Sequence, residues 1–442
     1  MAVYYPRCRA ILSIVFDGFG GSDSSPQIIE VIPKDCRVSL NNYKEADTFD
    51  MEFDGKLLPI SPEQLRSAAV QIYFYGLDNL NASEMESTAP DRVTLAGLID
   101  SAELNASKTG VTFQVSGRDY TAILIDKEWD PTRRVPVGRP LDEVVQGLVD
   151  EATQKDKIGR TLNVVFKGGI ESPPTFGTIH NVKTKKRGFT PAQGGKNYWD
   201  VIYNLCMRHG FIVFVQGFDV VISRPNVLIE EARKSIAKVV YGRNLESLNI
   251  ERKLGKERVP QIVVRSYDSK TRSVIEGRFP ESKDKVLTGI GTEKEEVKSY
   301  SVPGITNAKI LKRIAENAYN TLARGEATGR FATKHLTDLD DEFDLLTLRA
   351  GSAVAIGFDP FVPEAILAAM TEGERYSHLV SLGYTDKMAG LIASGFDKIN
   401  YFRRPFYVRE VSLSWSSRDG ITIECEVANF IAEARDEKRS DE

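Results

Sequence analysis

YVREVSLSW at Tyr407–Trp415 and GITIECEV at Gly420–Val427 carry the pattern that decides the fold class. Val411, Leu413 and Trp415 alternate with serines in the first stretch, and Ile421, Ile423, Cys425 and Val427 alternate with polar residues in the second. A period of two puts every apolar side chain on one face, so each stretch is a half-buried strand. The short polar, glycine-terminated turn between them makes the pair an antiparallel hairpin.

The same signature recurs at the start of the chain. AILSIVF at Ala10–Phe16, Val31–Leu40, Thr48–Phe53, Val70–Tyr75, Arg92–Asp100 and Val111–Val115 predict about six short strands, a number and spacing that suit a small barrel or sandwich. Asp17–Ser25, rich in glycine and serine, predicts an irregular turn. The middle of the chain reads differently. Pro140 opens an amphipathic helix in which Leu141, Val144, Val145, Leu148 and Val149 share one face. A strand at Leu162–Phe166 follows, then a helix at Tyr198–His209 stopped by Gly210, then a hairpin of Phe211–Val215 and Val220–Ser223 around Gly217. Leu245–Arg252, Gln261–Tyr267 and Ser273–Phe279 return to strand patterning, Thr292–Lys298 predicts a charged linker, and Thr306 predicts the cap of a helix reaching Ala323 before Gly325. Arg349–Ile356 predicts a further strand after a turn at Ala350 and Gly351, and Phe361–Ile392, rich in alanine and leucine, interrupts the strands with short helices.

The fold class expected is therefore α+β and β-rich, with two antiparallel β-barrel domains, an α/β middle domain and a helical insertion in the second barrel. The boundaries are 1–126 for the first barrel, 127–238 for the middle domain, 239–430 for the second barrel with its insertion at about 358–400, and 431–442 for a charged tail. A chain of 442 residues exceeds one hydrophobic core, which agrees with several domains.

Composition excludes several functions. A net charge of −4 gives no basic footprint for duplex binding. Cys8, Cys36, Cys206 and Cys425 lie far apart without a CxxC pair, so buried reduced thiols are expected. Arg7 and Arg9 are followed by no apolar core of a signal peptide, and no run approaches the roughly 18 apolar residues of a membrane span. The histidines, His180, His209, His335 and His378, fall in separate segments with no metal-ligand spacing, and His209 suits the C-terminus of a helix. Gly18, Gly20 and Gly21 lack the lysine and the helix of a phosphate loop. The acidic run Asp338, Asp340, Asp341, Glu342 and Asp344 lacks the glycine and terminal glutamate of a calcium loop and predicts a solvated loop. Lys183, Lys185, Lys186 and Arg187 have no interleaved aromatics, as expected of a solvated or partner-facing loop. No catalytic, cofactor-binding or metal residue is expected, and no cofactor.

The order of segments carries a resemblance. VSGRDYTAILI at Val115–Ile125 places Gly117, Asp119 and Leu124 in a G-x-D-x-x-x-x-L pattern, and YWDVIYNLCMRHGFIVFVQGFDVVIS at Tyr198–Ser223 gives a helix, a glycine stop and two strands. With Leu245–Tyr267 and Arg349–Ile356 in that order, the chain resembles, from about residue 110 to 430, the baseplate hub proteins of phage tails and contractile injection systems, the group of the late control protein D and the hub part of VgrG-like spike proteins. The insertion at Phe361–Ile392 departs from the compact form of that family. The resemblance implies a structural protein without enzymatic activity: a homotrimer whose six tail-tube-like barrels join a hexameric tail tube to a trimeric spike. Its partners would be copies of itself, the tail tube protein, the central spike protein, the tape measure protein and baseplate wedge proteins. DNA would pass its lumen without specific binding, no membrane insertion is involved, and it would sit in the virion tail baseplate after assembly in the host cytoplasm. Two alternatives are a distal tail or tube-initiator protein of a non-contractile tail, with six copies per ring, and a hub with cell-wall-degrading activity.

Overall fold

The computed structural model describes residues 5–16, 26–41, 45–56, 61–77, 93–108, 110–130, 135, 138–153, 162–167, 173, 196–241, 243–252, 261–268, 271–279, 281, 297–302, 305, 307–323, 327–339, 341–358, 370–387, 389–390, 393–394 and 406–429. The first part holds β1 (Tyr5–Phe16), β2 (Gln27–Val31), β3 (Asp35–Leu40), β4 (Thr48–Asp54), β5 (Leu65–Leu77), β6 (Leu95–Ser107), β7 (Gly110–Asp119) and the short helix α1 (Thr121–Asp126). The middle part holds α2 (Leu141–Thr153), β8 (Asn163–Lys167), α3 (Tyr198–Arg208), β9 (Ile212–Gln216), β10 (Asp219–Ser223) and α4 (Pro225–Lys234). Then come β11 (Ile236–Tyr241), β12 (Ser247–Arg252), β13 (Ile262–Asp268), β14 (Ser273–Phe279), β15 (Lys298–Ser301), α5 (Ala308–Ala323), β16 (Ala327–Thr333), β17 (Ala353–Phe358), α6 (Glu372–Ser381), β18 (Phe406–Ser416) and β19 (Gly420–Asn429).

Strands from both ends of the chain join one 13-stranded sheet in the order β12-β16-β19-β18-β3-β4-β7-β6-β5-β1-β2, with β17 beside β18 and β11 beside β17. Its pairings are antiparallel except β11 with β17. The seam between the two ends is β3 against β18, where Val38 pairs with Leu413 and Cys36 with Trp415. The alternation noted in the closing hairpin explains the join. Val411, Leu413, Ile423 and Cys425 point into the same core as Val38, Met51 and Phe113, and all are buried. The Trp415 indole N–H crosses the seam and donates to the Pro33 carbonyl at 3.0 Å.

A second core belongs to the middle part. The apolar face of α2 and the stripe of α3 cover β8, β9 and β10 there, with Leu141, Val145, Ile202 and Cys206 fully buried. Asn197 caps α3 by accepting from the Asp200 N–H, and Gly210, with φ of +76°, ends it in a left-handed turn.

Several expectations shift in the structure. The predicted strand Val31–Leu40 is two strands, β2 and β3, because Pro33 supplies no N–H for a continuous ladder. Gln261–Tyr267 and Ser273–Phe279 pair as the predicted hairpin but stay out of the large sheet; with β15 they form a separate three-stranded sheet covered by α5, with Ile262, Val264, Ile305, Leu311 and Ala315 as its core. The strand expected at Arg349–Ile356 begins only at Ala353. Helix α4 and strands β11 and β16 are not among the predicted elements. Asn307, whose side chain accepts from the Lys309 N–H, organises the start of α5. The expected cap Thr306 and stop Gly325, the turn at 17–25, the linker residues 292–296 and the tail at 431–442 lie outside the described residues. In the insertion, α6 is helical as expected, closed by a Thr371–Glu374 capping box, and Leu379 and Ala389 form a small core of its own. No described helix is long and apolar enough to cross a membrane.

Candidate functional site

Two features of the large sheet stand out from its packing role. The first is the face turned away from the core by the eight strands β12-β16-β19-β18-β3-β4-β7-β6. Period-two alternation places Glu251, Glu424, Glu426, Glu410, Asp35, Asp50, Glu52, Asp54 and Glu103 there, against Arg330, Arg37 and Arg118, with Ser412, Ser414, Ser39 and Ser116 between them. Two of these arginines are engaged locally. Arg37 donates to Ser412 Oγ at 3.3 Å, and Arg118 bridges Asp100 at 2.6 Å and Asp126 at 2.7 Å, which raises its already high pKa further. Glu410 and Glu426 stand directly opposite on neighbouring strands, a like-charge pair that Arg409, 3.6 Å from the Glu426 carboxylate, offsets in part. The face is polar, rich in hydroxyls and net acidic.

Both ends of this eight-stranded stretch present backbone edges. β5 pairs with β6 only over Leu95–Leu98, so the Ser101–Ser107 half of β6 meets a described strand, β7, on one side only. At the far end, β12 pairs among the described strands with β16 alone. Each edge exposes an apolar side chain on its core side: Leu104 is 42% exposed and Ile250 37%.

The second feature is the joint between the parts, where the G-x-D-x-x-x-x-L pattern lies. A Cβ on Gly117 would fall 2.0 Å from the Leu98 carbonyl oxygen, and one on Gly97 2.1 Å from that of Arg118, so these glycines let β6 and β7 approach. Asp119 ends β7 and accepts from the Thr121 N–H at 3.1 Å and the Thr121 hydroxyl at 2.9 Å, turning the chain into α1. Leu124 then drops, fully buried, into the middle core. The Asp119 N–H donates to the Asp47 carbonyl at 2.9 Å, and the Asp47 carboxylate accepts from the Asn41 N–H at 2.6 Å. Burial pushes the Asp119 carboxyl well above its ordinary range, and the charge of Asp47 adds to the push. Burial likewise pushes Asp47 up to about 7, against the opposing pull of the Asn41 N–H and the Arg349 guanidinium. Arg349 straps the parts together, donating to the carbonyls of Leu346 and Leu348 and, across the joint, to that of Thr94 at 3.2 Å. A cavity of about 230 Å³ opens here between β6, the β9–β10 hairpin, α4 and the Thr347–Ser352 turn.

The residues singled out in the sequence are scattered. His209 caps the end of α3, the His335 N–H donates to Thr333 Oγ1, and His378 lies in the last turn of α6. No group of three potential metal ligands occurs among the described residues. All four cysteines are buried free thiols. The acidic run is not simply solvated: Asp338 is buried and accepts from the N–H groups of Lys238, Glu342 and Phe343, because its loop folds back on β11. His180, Gly18, Gly20, Gly21, Asp340 and Lys183–Arg187 lie outside the described residues. Sequence reasoning misses Arg349 and Asp47, which no local pattern marks.

No family model matches the chain, and no curated protein matches it. Solved structures do. The 43 kDa tail protein of prophage MuSo2 from Shewanella oneidensis superposes with a TM-score of 0.56 at 13% identity, over 96% of this chain and 98% of that one. The tail protein from Neisseria meningitidis MC58 gives 0.54 at 15% identity, over 95% and 96%. The resemblance drawn from segment order thus holds at the level of the fold: the chain is folded, along nearly its whole length, like these two tail proteins.

Proposed function

We propose that the chain is a structural baseplate hub subunit of a phage-like tail. The observation that carries this is the eight-stranded, net acidic face bounded by two open edges. β3-β4-β7-β6 backed by β5-β1-β2 makes one tube-like barrel, and β12-β16-β19-β18 backed by β17-β11 makes the other. Three copies then join head to tail, the outer half of β6 pairing with β12 of the next copy. Unlike edges that meet heterologously generate a closed ring when the rotation closes. The join satisfies the exposed backbone groups and buries Leu104 and Ile250 together. The acidic, hydroxyl-rich face then lines the channel. It repels the phosphates of passing DNA and gives an unfolded tape measure segment nothing apolar to hold. The ring sits between tail tube and spike with the wedge proteins outside, and its role is mechanical, with no catalysis.

Native mass spectrometry of the purified chain tests this. Trimers at three times the 49.2 kDa chain mass are expected, and Leu104→Lys or Ile250→Lys shifts them to monomer without loss of fold by circular dichroism. A strictly monomeric wild type, alone and with tail tube protein, overturns the trimer. Rings of six point to a tube initiator, and peptidoglycan cleared in a zymogram overturns the non-enzymatic role.

A further inference from the structure

The eight-stranded stretch repeats its own register. Hairpin β18–β19 turns between Ser416 and Gly420 and slips between Val408 and Glu410. Hairpin β6–β7 turns between Ser107 and Gly110 and slips between Ile99 and Ser101, at the same count back from its turn. The neighbouring strands continue the match. Ile423 of β19 pairs with Thr333 of β16 where Phe113 of β7 pairs with Phe53 of β4. Thr328 of β16 then pairs with Glu251 of β12 where Thr48 of β4 pairs with Ser39 of β3. Strand β12 thus falls on β3 from end to end, and β6 falls on β18.

In this overlay Leu104 takes the place of Leu413, and Ile250 that of Val38. Leu413 and Val38 stand opposite each other in the seam within the chain, both 0% exposed, whereas Leu104 and Ile250 are 42% and 37% exposed. The next opposed pair follows suit: Ala106 stands for Trp415 and Leu248 for Cys36. The two edges are the two halves of the β3–β18 seam, set at opposite ends of the stretch. Because side chains alternate with a period of two, only a register that keeps Leu104 and Ile250 on the core side buries both.

We propose that a second copy of this chain completes the repeat: β6 of one copy lies antiparallel to β12 of the next, in the register of β18 on β3, with Leu104 opposite Ile250. The proposal rests on the ring described above and adds the direction and register of its join. The same register sets Glu103 opposite Glu251 of the next copy on the channel face, where the seam within the chain has Ser412 opposite Ser39. Within the chain, Glu103 stands opposite Gln114, and Glu251 opposite Thr328 with Arg330 on the diagonal. Like charges directly opposite weaken a strand pair, so the copies hold one another less firmly than the two halves of one chain do.

Oxidative cross-linking of the full chain reads the register. Within one chain β6 and β12 lie at the two ends of the stretch, so a bond between them joins two copies. Leu104→Cys combined with Ile250→Cys is expected to give covalent trimers on a non-reducing denaturing gel. Either substitution alone is expected to give none, the native thiols being buried. Ala102→Cys or Ala106→Cys combined with Ile250→Cys shifts the pair along the strand and is expected to cross-link about tenfold more slowly. A shifted pair that cross-links as fast overturns the register. Trimers in native mass spectrometry with no cross-link from any pair overturn the seam and leave the ring standing; a chain that stays monomeric, alone and with tail tube protein, overturns both. A charge exchange gives a test without disulfides. Glu103→Lys is expected to tighten association about fivefold in sedimentation, and adding Glu251→Lys to abolish the gain. No gain in the first variant, or a gain that survives in the second, overturns the register.

Discussion

Gly277 is the position at which one methyl group should undo a whole subdomain. It lies in β14 beneath α5, and a Cβ there would stand 2.1 Å from the Lys312 backbone nitrogen and 2.2 Å from the Leu311 carbonyl carbon. Backbone cannot swing aside as a flexible side chain can. To regain an ordinary contact of about 3.4 Å, α5 must lift off the sheet by about 1.3 Å, and a gap of that size forfeits more than about half of each dispersion contact in the layer. The layer is small: Ile262, Val264, Ile305, Leu311 and Ala315 with their half-buried neighbours. Overpacking alone costs roughly 1–3 kcal/mol, and opening this core brings Gly277→Ala to about 3 kcal/mol. That corresponds to roughly a hundredfold in the local opening equilibrium. Hydrogen exchange should show protection falling by that factor in peptides from β13, β14 and α5, with the β18–β19 hairpin untouched, since its core is separate. Gly147→Ala is the control. Gly147 sits inside α2 with nothing within 4 Å of its would-be Cβ, so alanine there should stabilise by about 0.5–1 kcal/mol. If Gly277→Ala exchanges like the wild type, the close approach of α5 to β14 is wrong.

Three further outcomes follow from side chains whose partners are known. Asp338→Ala strands the N–H groups of Lys238, Glu342 and Phe343 and should destabilise by about 3 kcal/mol in urea unfolding, where a loss under 1 kcal/mol contradicts its buried role. Trp415→Phe removes the hydrogen bond to Pro33 together with part of a buried ring, so a loss of about 2 kcal/mol is expected, visible as faster exchange along the β3–β18 seam. The four thiols should ignore a thiol reagent at neutral pH until denaturant is added, because burial pushes Cys8, Cys206 and Cys425 up, away from the reactive thiolate; rapid labelling of the native chain would refute that.

Alternation and amphipathic stripes make most elements legible in the amino-acid sequence. The β18–β19 hairpin, the half-buried strand β4 and the helices α2 and α3 each repeat their burial pattern locally, so a window of ten residues suffices to see them. Where apolar contrast or apolar content is low, the element is missed. β16 carries Gly329 opposite Ile250 and has little apolar contrast, and α4 has weak hydrophobicity. Gln261–Tyr267 reads as one more barrel strand because a β pattern says that a face is buried and not against which layer. Asp338 reads as one acid in a solvated run for a similar reason, since only its loop's return to β11 buries it.

The sequence by itself determined the elements, the turns that separate them and the absence of any local catalytic motif, because these depend on neighbours within a few residues. Only the tertiary structure decided that β3 meets β18 across some 370 residues of chain, as in the register Val38–Leu413. It also decided that acids from six of the eight strands share one face, and that Asp47, Asp119 and Arg349 meet at one joint. Strand order and the surroundings of a buried charge arise from contacts between distant segments, and such contacts leave no period in the sequence.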